Sequence, residues 1–443
     1  MRKYEGTHPW ITFRLNVGQI SWETWSHLGE IRASVTQMVS VALRPAVAQR
    51  LHRLYLAKGV LATTAIEGNT LSEEEVERIL AGELELPPSK EYLATEVKNI
   101  ETACNQIWEK AFKGDDASLT LPLISQFNRW IRKGLPEKEE TAPPGTIRSY
   151  SVGVLRYRGA PAEDCAYLVE RLCEWLSHHQ FSGPKAHKVE FAVLRAIIAH
   201  LYLAWIHPFG DGNGRTARLV EFYILVNAGL PTPCAHLLSN HYNQTRTEYY
   251  RQLDYASRSG GNIIPFISYA IQGFVDGLRD QLDVIRKELL DIAWISFVHE
   301  LFRDRGTSAG IRQRRLVLAL SRNGKAIPFT RLSKLTPELA VEYAKRSKKT
   351  LRRDINALIK MELVVDCGND IYWANTNLML AFQPHTKDYF GQDKFVTIPV
   401  DEIGQSAEYE GFEHQTPISP RLVEDVSVPE QLNLGLVPDA IEP

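Results

Sequence analysis

The chain has 443 residues and a formal net charge of -2, the balance of 51 Lys and Arg against 53 Asp and Glu. Hydrophobic residues make up 44% and charged residues 23%, values that exclude wholesale disorder, a collagen-like fibre and a coiled-coil rod. No uninterrupted apolar run approaches the roughly 20 residues that cross a bilayer, and no apolar signal segment follows the first residues. Five scattered cysteines without a CxxC pair indicate reduced thiols. We therefore expect two or three domains, a cytoplasmic location and no membrane partner.

The first two thirds of the sequence have the apolar spacing of helices, and turns rich in Gly and Pro separate the segments. Only residues 151–157 and 363–374 have the pattern of a β-hairpin. The sequence therefore predicts a mainly α fold with a small β-containing appendage. The predicted helices span residues 47–65, 72–81, 94–112, 121–133, 162–178, 188–205 and 215–228.

The first of these helices ends in the octet TTAIEGNT, at residues 63–70. Thr63 and Glu67 are four residues apart and share one helical face, and Gly68 is typical of a helix end. Taken alone, the octet indicates a helix C-terminus with a solvated glutamate, because short motifs match by chance very often.

The segment HPFGDGNGRTAR, at residues 207–218, separates two apolar helices. Its three glycines allow successive N–H groups to converge on one point, which is also the N-terminus of the second helix. An anion is favoured there, and Arg215 and Arg218 lie on one face beside it. The segment predicts a phosphate site, although the chain has no Walker sequence.

Two further residues of this segment indicate chemistry. A carboxylate in an anion site is unfavourable without a cation, so Asp211 predicts a Mg²⁺ ion that bridges it to phosphates. His207 is the obvious general base for a hydroxyl nucleophile. A calcium loop is disfavoured because Arg215 and Phe222 occupy positions that need carboxylates. An ordinary glycine-rich turn between helices would explain four residues such as Asp-Gly-Asn-Gly, but not the whole pattern of twelve residues at 207–218.

Residues 207–218 resemble the HPFx[D/E]GNGRxxR signature of Fic-domain proteins at every defining position. The resemblance extends from about residue 57 to residue 281. It implies a helical Fic fold that transfers AMP from ATP to a Ser, Thr or Tyr hydroxyl of a target protein. It further implies that His207 deprotonates the hydroxyl, that Asp211 holds Mg²⁺, and that Arg215 and Arg218 bind the β- and γ-phosphates. The remaining implied ATP contacts of the segment are Gly212, Asn213 and Gly214 at the α-phosphate, with Thr216 and Ala217 beside them.

Two segments outside the signature also resemble the family. The hairpin at 151–157 follows GTIR at 145–148 and resembles the flap that docks the target by strand addition. Tyr249 and Tyr250 resemble the tyrosine pair beside the adenine, and Ser257 stands where relatives often have Asn. Without the signature, an ordinary hairpin and core packing of the tyrosines would be the simpler interpretations. The implied ATP contacts of the hairpin are Val154, Leu155, Arg156 and Tyr157.

Beside this signature, residues 63–70 resemble the inhibitory [S/T]xxxE[G/N] motif found in one class of Fic proteins. The resemblance implies that Glu67 pairs with Arg218 and removes it from the γ-phosphate, so the AMP transferase would be basally repressed. In some family members the same glutamate positions a water molecule that removes AMP, which leaves a bifunctional enzyme open.

The C-terminal third of the chain has strongly opposed charges. Residues 303–360 contain 16 Lys and Arg against 4 Asp and Glu, whereas residues 381–443 contain 3 against 12. Residues 311–374 have the order helix, helix, helix, hairpin and resemble a winged helix-turn-helix. Its third helix would begin at the N-cap Ser347 and present Lys349, Arg352 and Arg353 to DNA. Protein docking, a homodimer and a solvated basic face are equally compatible with this pattern.

We therefore divide the chain into four parts and carry two functions forward. The parts are an N-terminal helical region at 1–120, the Fic core at 121–285, the winged helix at 290–380 and an acidic, mobile tail at 381–443. The leading function is an autoinhibited AMP transferase that uses Mg-ATP. The second is a DNA-binding regulator that uses the Fic body as a nucleotide sensor, which would not need His207 as a base.

Overall fold

The structure, a computed structural model, describes residues 1–114, 118–136, 141–154, 157–178, 181 and 187–380. These residues belong to one compact unit, Met1–Ala381. The mainly α fold predicted from the sequence is confirmed. The predicted tail at 381–443 and the hairpin residues Leu155 and Arg156 lie outside the described residues.

In the described part of the chain up to residue 301, the regular elements are α-helices, two short 3-10 helices and one short antiparallel hairpin. In this hairpin, β1 (Gly153–Val154) pairs with β2 (Tyr157–Arg158), with Val154 opposite Tyr157. The helices are α1 (Lys3–Thr7), α2 (Trp22–Ser40), α3 (Pro45–Ala65), α4 (Glu73–Leu80), α5 (Glu91–Phe112), α6 (Leu121–Arg132), α7 (Ala162–Ser177), α8 (Lys188–Ile206), α9 (Asn213–Asn227), α10 (Thr232–Ala235), α11 (Leu237–Gln244), α12 (Arg246–Arg258) and α13 (Ile264–Leu301).

Local sequence explains several helix ends. Ser72 and Glu75 are three residues apart and form a reciprocal capping box that starts α4. Proline occupies the first turn of α3, where its missing N–H has no cost. Helix α9 begins at Asn213, two residues earlier than predicted, because Gly212 adopts a left-handed conformation and serves as its N-cap.

Helices α8 and α9 pack against each other at the centre of the first core. Helix α8 is apolar on nearly all sides, which is the pattern of a helix enclosed by neighbours. By length and composition it is also the one helix of the described residues that could cross a membrane, and 78% of that apolar window is buried inside the protein.

Helix α13 is 38 residues long and contributes to two large hydrophobic cores and, through Ile285, to a small cluster with α3. Its first half, including Phe266 and Phe274, lies in the core built around α8 and α9. Trp294 and Val298 of its second half lie in a separate core with the C-terminal elements. The domain boundary predicted between residues 285 and 290 therefore falls inside one continuous helix.

The C-terminal elements pack around the end of α13. The predicted helices and hairpin are present, and β3, which the sequence analysis missed, completes an antiparallel sheet in the order β3-β5-β4. Ser347 is the N-cap residue of the third helix, but its side chain makes no capping hydrogen bond. The assignment as a winged helix stays a prediction. The elements are α14 (Ser308–Asn323), β3 (Ile327–Pro328), α15 (Phe329–Leu332), α16 (Pro337–Ala344), α17 (Lys348–Lys360), β4 (Val364–Asp366) and β5 (Ile371–Ala374).

Candidate active site

The loop that joins α8 to α9 is shaped by its own side chains. His207 ends α8 in a left-handed conformation, with φ of 52°, which is unusual for a residue other than glycine. Phe209 is buried beneath the loop. The amide side chain of Asn213 accepts from the Phe209 N–H at 2.9 Å and donates to the Phe209 carbonyl at 2.8 Å. Asn213 therefore fixes the loop, and its side chain does not line the cavity described below.

Arg148, from the GTIR segment, ties this loop to the hairpin. Its guanidinium donates to the carbonyls of His207 at 2.7 Å, Tyr150 at 2.6 Å and Ala160 at 2.5 Å. Burial lowers the pKa of Arg148. Since these partners are neutral carbonyls, Arg148 works as a multiple hydrogen-bond donor that joins the His207 backbone to the segments on either side of the hairpin.

His207 is neutral in this environment. Burial lowers the pKa of His207 to about 4, and Arg148 adds to the effect, although the Ala204 carbonyl, Glu67 and Asp211 oppose it. The ring Nδ1 lies 3.4 Å from the Ala204 carbonyl oxygen. A carbonyl can only accept, so this contact places the proton on Nδ1 and leaves Nε2 as the proton acceptor.

A cavity of about 450 Å³ brings several predicted residues together. Its wall also contains residues that the sequence analysis did not single out, among them Leu253, Asp254 and Arg258 of α12. Their spacing from Tyr250 is helical, and that periodicity was the signal that could have identified them. The predicted residues that line the cavity are Glu67, Tyr157, His207, Gly214, Tyr249 and Tyr250.

Both tyrosines of α12 are anchored to their surroundings. The Tyr249 hydroxyl is hydrogen-bonded to buried His200 at 2.8 Å, and the Tyr250 hydroxyl donates to the Ile66 carbonyl at 3.5 Å. Ser257 is buried outside the cavity wall, and its hydroxyl donates to the Asp254 carbonyl at 2.8 Å within its own helix.

Glu67 lines the cavity and forms an ion pair with Arg218, which is buried behind the cavity wall. The Glu67 carboxylate accepts from the Arg218 guanidinium at 2.6 Å, and the same nitrogen donates to the Thr63 carbonyl at 3.0 Å. The Arg218 side chain is only 1% exposed, and its Nε and Nη1 have no hydrogen-bond partner among the described residues. A Cβ at Gly214 would lie 2.1 Å from the Glu67 carboxylate, so the carboxylate touches the first turn of α9.

The charges of this pair support each other. Burial opposes the ionisation of Glu67, but Arg218, Arg215 and His207 together lower the pKa of Glu67 below its ordinary value. Burial likewise opposes the charge of Arg218, and Glu67 outweighs it, so the pKa of Arg218 is raised. The pair is therefore charged at neutral pH.

Arg215 is engaged by a carboxylate that the sequence analysis missed. Its Nη1 forms an ion pair with Glu96 of α5, and its Nη2 lies 3.6 Å from Asp211. Glu96 also accepts from the Asn69 side chain at 3.0 Å, which joins Arg215 to the segment that carries Glu67. Arg215 does not line the cavity, so its binding of a phosphate stays a prediction.

The side chains of Thr216 and Ala217 lie in the packing of α9. Thr216 is buried and donates to the Gly212 carbonyl at 2.8 Å, and Ala217 is fully buried. Neither side chain lines the cavity. Their predicted contribution to ATP binding is therefore limited to the backbone of the helix.

Asp211 is the carboxylate of the loop that solvent can reach. Its side chain is 50% exposed, and it forms an ion pair with Arg132 of α6. Among the described residues, no group of three or more His, Cys, Asp and Glu is placed to hold a metal ion. A single carboxylate is nevertheless a suitable protein ligand for a Mg²⁺ ion whose other ligands are phosphate oxygens and water.

Tyr157 of the predicted flap and Arg352 of the predicted basic surface are both held by other residues of the protein. The Tyr157 hydroxyl donates to the Trp205 carbonyl at 2.9 Å, which fixes β2 against α8. On α17, Lys349 and Arg353 are exposed. Arg352 is not an available cation, because it pairs with Asp370 at 2.7 Å and lies over the Phe329 ring at 3.9 Å.

Comparisons with known proteins agree with this geometry. Residues 118–225 match the Fic/DOC family. The protein adenylyltransferase fic-1 of Caenorhabditis elegans is 28% identical over 233 residues, which cover 51% of this chain and 42% of that protein. The protein adenylyltransferase Fic of Nematostella vectensis is 30% identical over 208 residues, covering 47% and 44%. The chain thus spans about two fifths of the length of these curated relatives.

Solved structures are also similar to this chain. A Fic family protein from Desulfovibrio desulfuricans G20 has a TM-score of 0.49 at 22% identity, covering 80% of this chain and 97% of that one. Fic-1 from Caenorhabditis elegans has a TM-score of 0.49 at 24% identity, covering 60% and 73%.

Proposed function

We propose that this chain, whose residues 118–225 match the Fic/DOC family, is an autoinhibited protein adenylyltransferase that transfers AMP from Mg-ATP to a Ser, Thr or Tyr hydroxyl. The observation that carries the proposal is one cavity in which His207, Gly214 at the start of α9 and the inhibitory Glu67 meet. Relatives named protein adenylyltransferase support the activity over the half of the chain that they match.

The proposed transfer is a displacement at the α-phosphorus of ATP. The target hydroxyl gives its proton to Nε2 of His207 while its oxygen attacks, and the bond to the β-phosphate breaks to release pyrophosphate. Backbone N–H groups in the first turn of α9 stabilise the charge on the α-phosphate oxygens. Arg218, once released from Glu67, stabilises the charge on the leaving pyrophosphate.

Asp211 is the residue proposed to hold Mg²⁺. It is the half-exposed carboxylate of the phosphate loop, and oxygen ligands are those that Mg²⁺ prefers. When bound, the ion would neutralise negative charge on the phosphates.

Inhibition follows from where the Glu67 carboxylate lies. It occupies Arg218 and also touches Gly214, so a phosphate at the start of α9 would meet a negative charge instead of an available guanidinium. Because Glu67 and His207 line the same cavity, Glu67 is also placed to orient a water molecule, and removal of AMP is the second activity that we propose.

The test is transfer of label from α-labelled ATP into protein by the Glu67→Gly variant. We expect at least tenfold more label than with the unaltered chain, because Arg218 becomes available for the leaving group. Glu74→Gln, a change of an exposed carboxylate on α4, serves as the matched control and leaves labelling unchanged. Equal labelling by Glu67→Gly and the unaltered chain would remove the inhibitory role. Labelling that survives an added His207→Ala would refute the base assignment.

For the C-terminal elements, we propose duplex DNA as a second partner. The specific observation is that Lys349 and Arg353 are exposed on α17, within a region of strong positive charge. A regulator that binds DNA and uses the Fic body as a nucleotide sensor is the corresponding alternative function. Docking of a protein or of a second copy of the chain is the alternative use of this surface, and neither requires affinity for a duplex.

A further inference from the structure

Arg132, at the end of α6, lies outside the signature segment but contacts its carboxylate. The guanidinium Nη1 forms an ion pair with Asp211, and Nη2 donates to the Pro136 carbonyl at 3.2 Å. The Arg132 side chain is 9% exposed, whereas that of Asp211 is 50% exposed. A Cβ at Gly212 would lie 3.3 Å from Cδ of Arg132, so the arginine also packs against the loop. Arg132 is thus a buried, fixed cation.

Both oxygens of the Asp211 carboxylate already have donors. One oxygen faces Arg132. The other accepts from the Gly212 N–H at 2.5 Å and lies 3.6 Å from Arg215. A divalent cation that binds this carboxylate must replace a donor and must also lie within a few ångströms of two guanidinium groups, which repel it.

We propose that Arg132 is a positioning residue that prevents Asp211 from binding a divalent cation until a polyphosphate is present. The proposal rests on the proposed function, since it concerns the same carboxylate. Phosphates bring negative charge that offsets the two guanidinium groups, so the cation and the nucleotide bind together. Without nucleotide, Arg132 remains the partner of Asp211, and affinity for the cation is low.

The test measures Mn²⁺ binding to the full-length, nucleotide-free protein by electron paramagnetic resonance of the free ion. We expect Arg132→Met to bind Mn²⁺ about tenfold or more tightly than the unaltered chain, because one nearby positive charge is removed. Arg132→Lys keeps the charge and stays near the original affinity. Arg129→Met changes an exposed arginine of the same helix, and as the matched control it has no effect.

The substitution Asp211→Asn establishes whether any increase in Mn²⁺ affinity arises at the Asp211 carboxylate. Added to Arg132→Met, this substitution abolishes the tighter binding. A gain that persists without the Asp211 carboxylate would overturn the proposal, and so would an Arg132→Met protein that binds Mn²⁺ no more tightly than Arg129→Met.

Two features keep the measurement decisive. Because Arg132 is buried, folding of each variant is checked by circular dichroism. If Arg132→Met does not fold, Arg132→Gln replaces it, since this variant keeps an amide donor but not the charge. It should show the same increase in Mn²⁺ affinity. The measurement uses neither ATP nor a target protein. Its failure therefore leaves the labelling by Glu67→Gly unaffected, and the two proposals fail separately.

Discussion

At the scale of single residues, the proposed chemistry depends on an imidazole that burial keeps neutral. A histidine with an ordinary pKa of about 6.5 would lose its activity as a base in mildly acidic solution. Burial lowers the pKa of His207 to about 4, so the ring stays unprotonated well below neutral pH. The charge of Glu67 raises this pKa, so the loss of that charge in a Glu67 variant acts to lower it.

The pH dependence of the Glu67→Gly variant tests this assignment. We expect kcat/KM for AMP transfer to stay level from pH 8 down to about pH 5 and to fall only below that, with the protonation of His207. Initial rates at each pH are measured together with tryptophan fluorescence, which reports whether the variant stays folded. If kcat/KM instead falls with a midpoint near pH 6.5 while the protein stays folded, the assignment of His207 as a neutral, buried base is contradicted.

The predicted residues that the structure brings to the cavity are close in the sequence or carry a recognisable motif. His207 and Gly214 lie in one short segment, so their proximity follows from local chain geometry. Arg132 is 79 residues from Asp211, and Glu96 is 119 residues from Arg215. The sequence around Asp211 and Arg215 does not indicate which distant helix supplies their ion-pair partners, because tertiary packing determines that.

At the scale of helices and strands, apolar periodicity predicts that a helix is present better than it predicts where the helix begins and ends. Helix α9 starts early because Gly212 caps it, and α13 was missed as a single long helix because its apolar face serves two different cores. Strand β3 has only two residues, too few for alternation to be visible. The capping box of α4 is a purely local interaction, and its position was predictable.

Helix α17 presents a smaller basic surface than its sequence predicts. Arg352 is held by Asp370, Tyr372 and Phe329, so of the three predicted cations only Lys349 and Arg353 are exposed. A cation already paired with a carboxylate releases fewer counterions from DNA than an unpaired one. Of these three residues, we therefore expect Lys349 and Arg353 to contribute to DNA binding, and Arg352 not to.

Titration of a short duplex at several salt concentrations tests this expectation. The double variant Lys349→Ala and Arg353→Ala should bind DNA about tenfold more weakly at low salt. The slope of its log affinity against log salt concentration should be smaller by an amount that corresponds to about two phosphate contacts. Arg352→Gln is the control on the same helix and should leave the slope unchanged. If the unaltered chain retains no duplex at low salt, the proposed DNA binding is overturned.

At the scale of the whole molecule, α13 joins the cavity-bearing core to the C-terminal elements without an intervening linker. A helix of 38 residues extends about 57 Å, at about 1.5 Å per residue. Ile285 packs with Leu51 and Tyr55 of α3, the helix that precedes Glu67, and Trp294 begins the second core two and a half turns later. Because one helix contributes to both cores, unfolding of either should remove packing from the other.

This continuity predicts a single cooperative thermal transition for residues 1–380, which an interruption of α13 would split in two. Asp291 is exposed and lies between the two cores, so Asp291→Pro breaks the helix there, at a cost of about 3 kcal/mol or more, without removing a core side chain. Asp291→Ala keeps the helix and should retain one transition. Differential scanning calorimetry distinguishes the two variants. Two separate transitions in the alanine control would show that the cores unfold independently despite the shared helix.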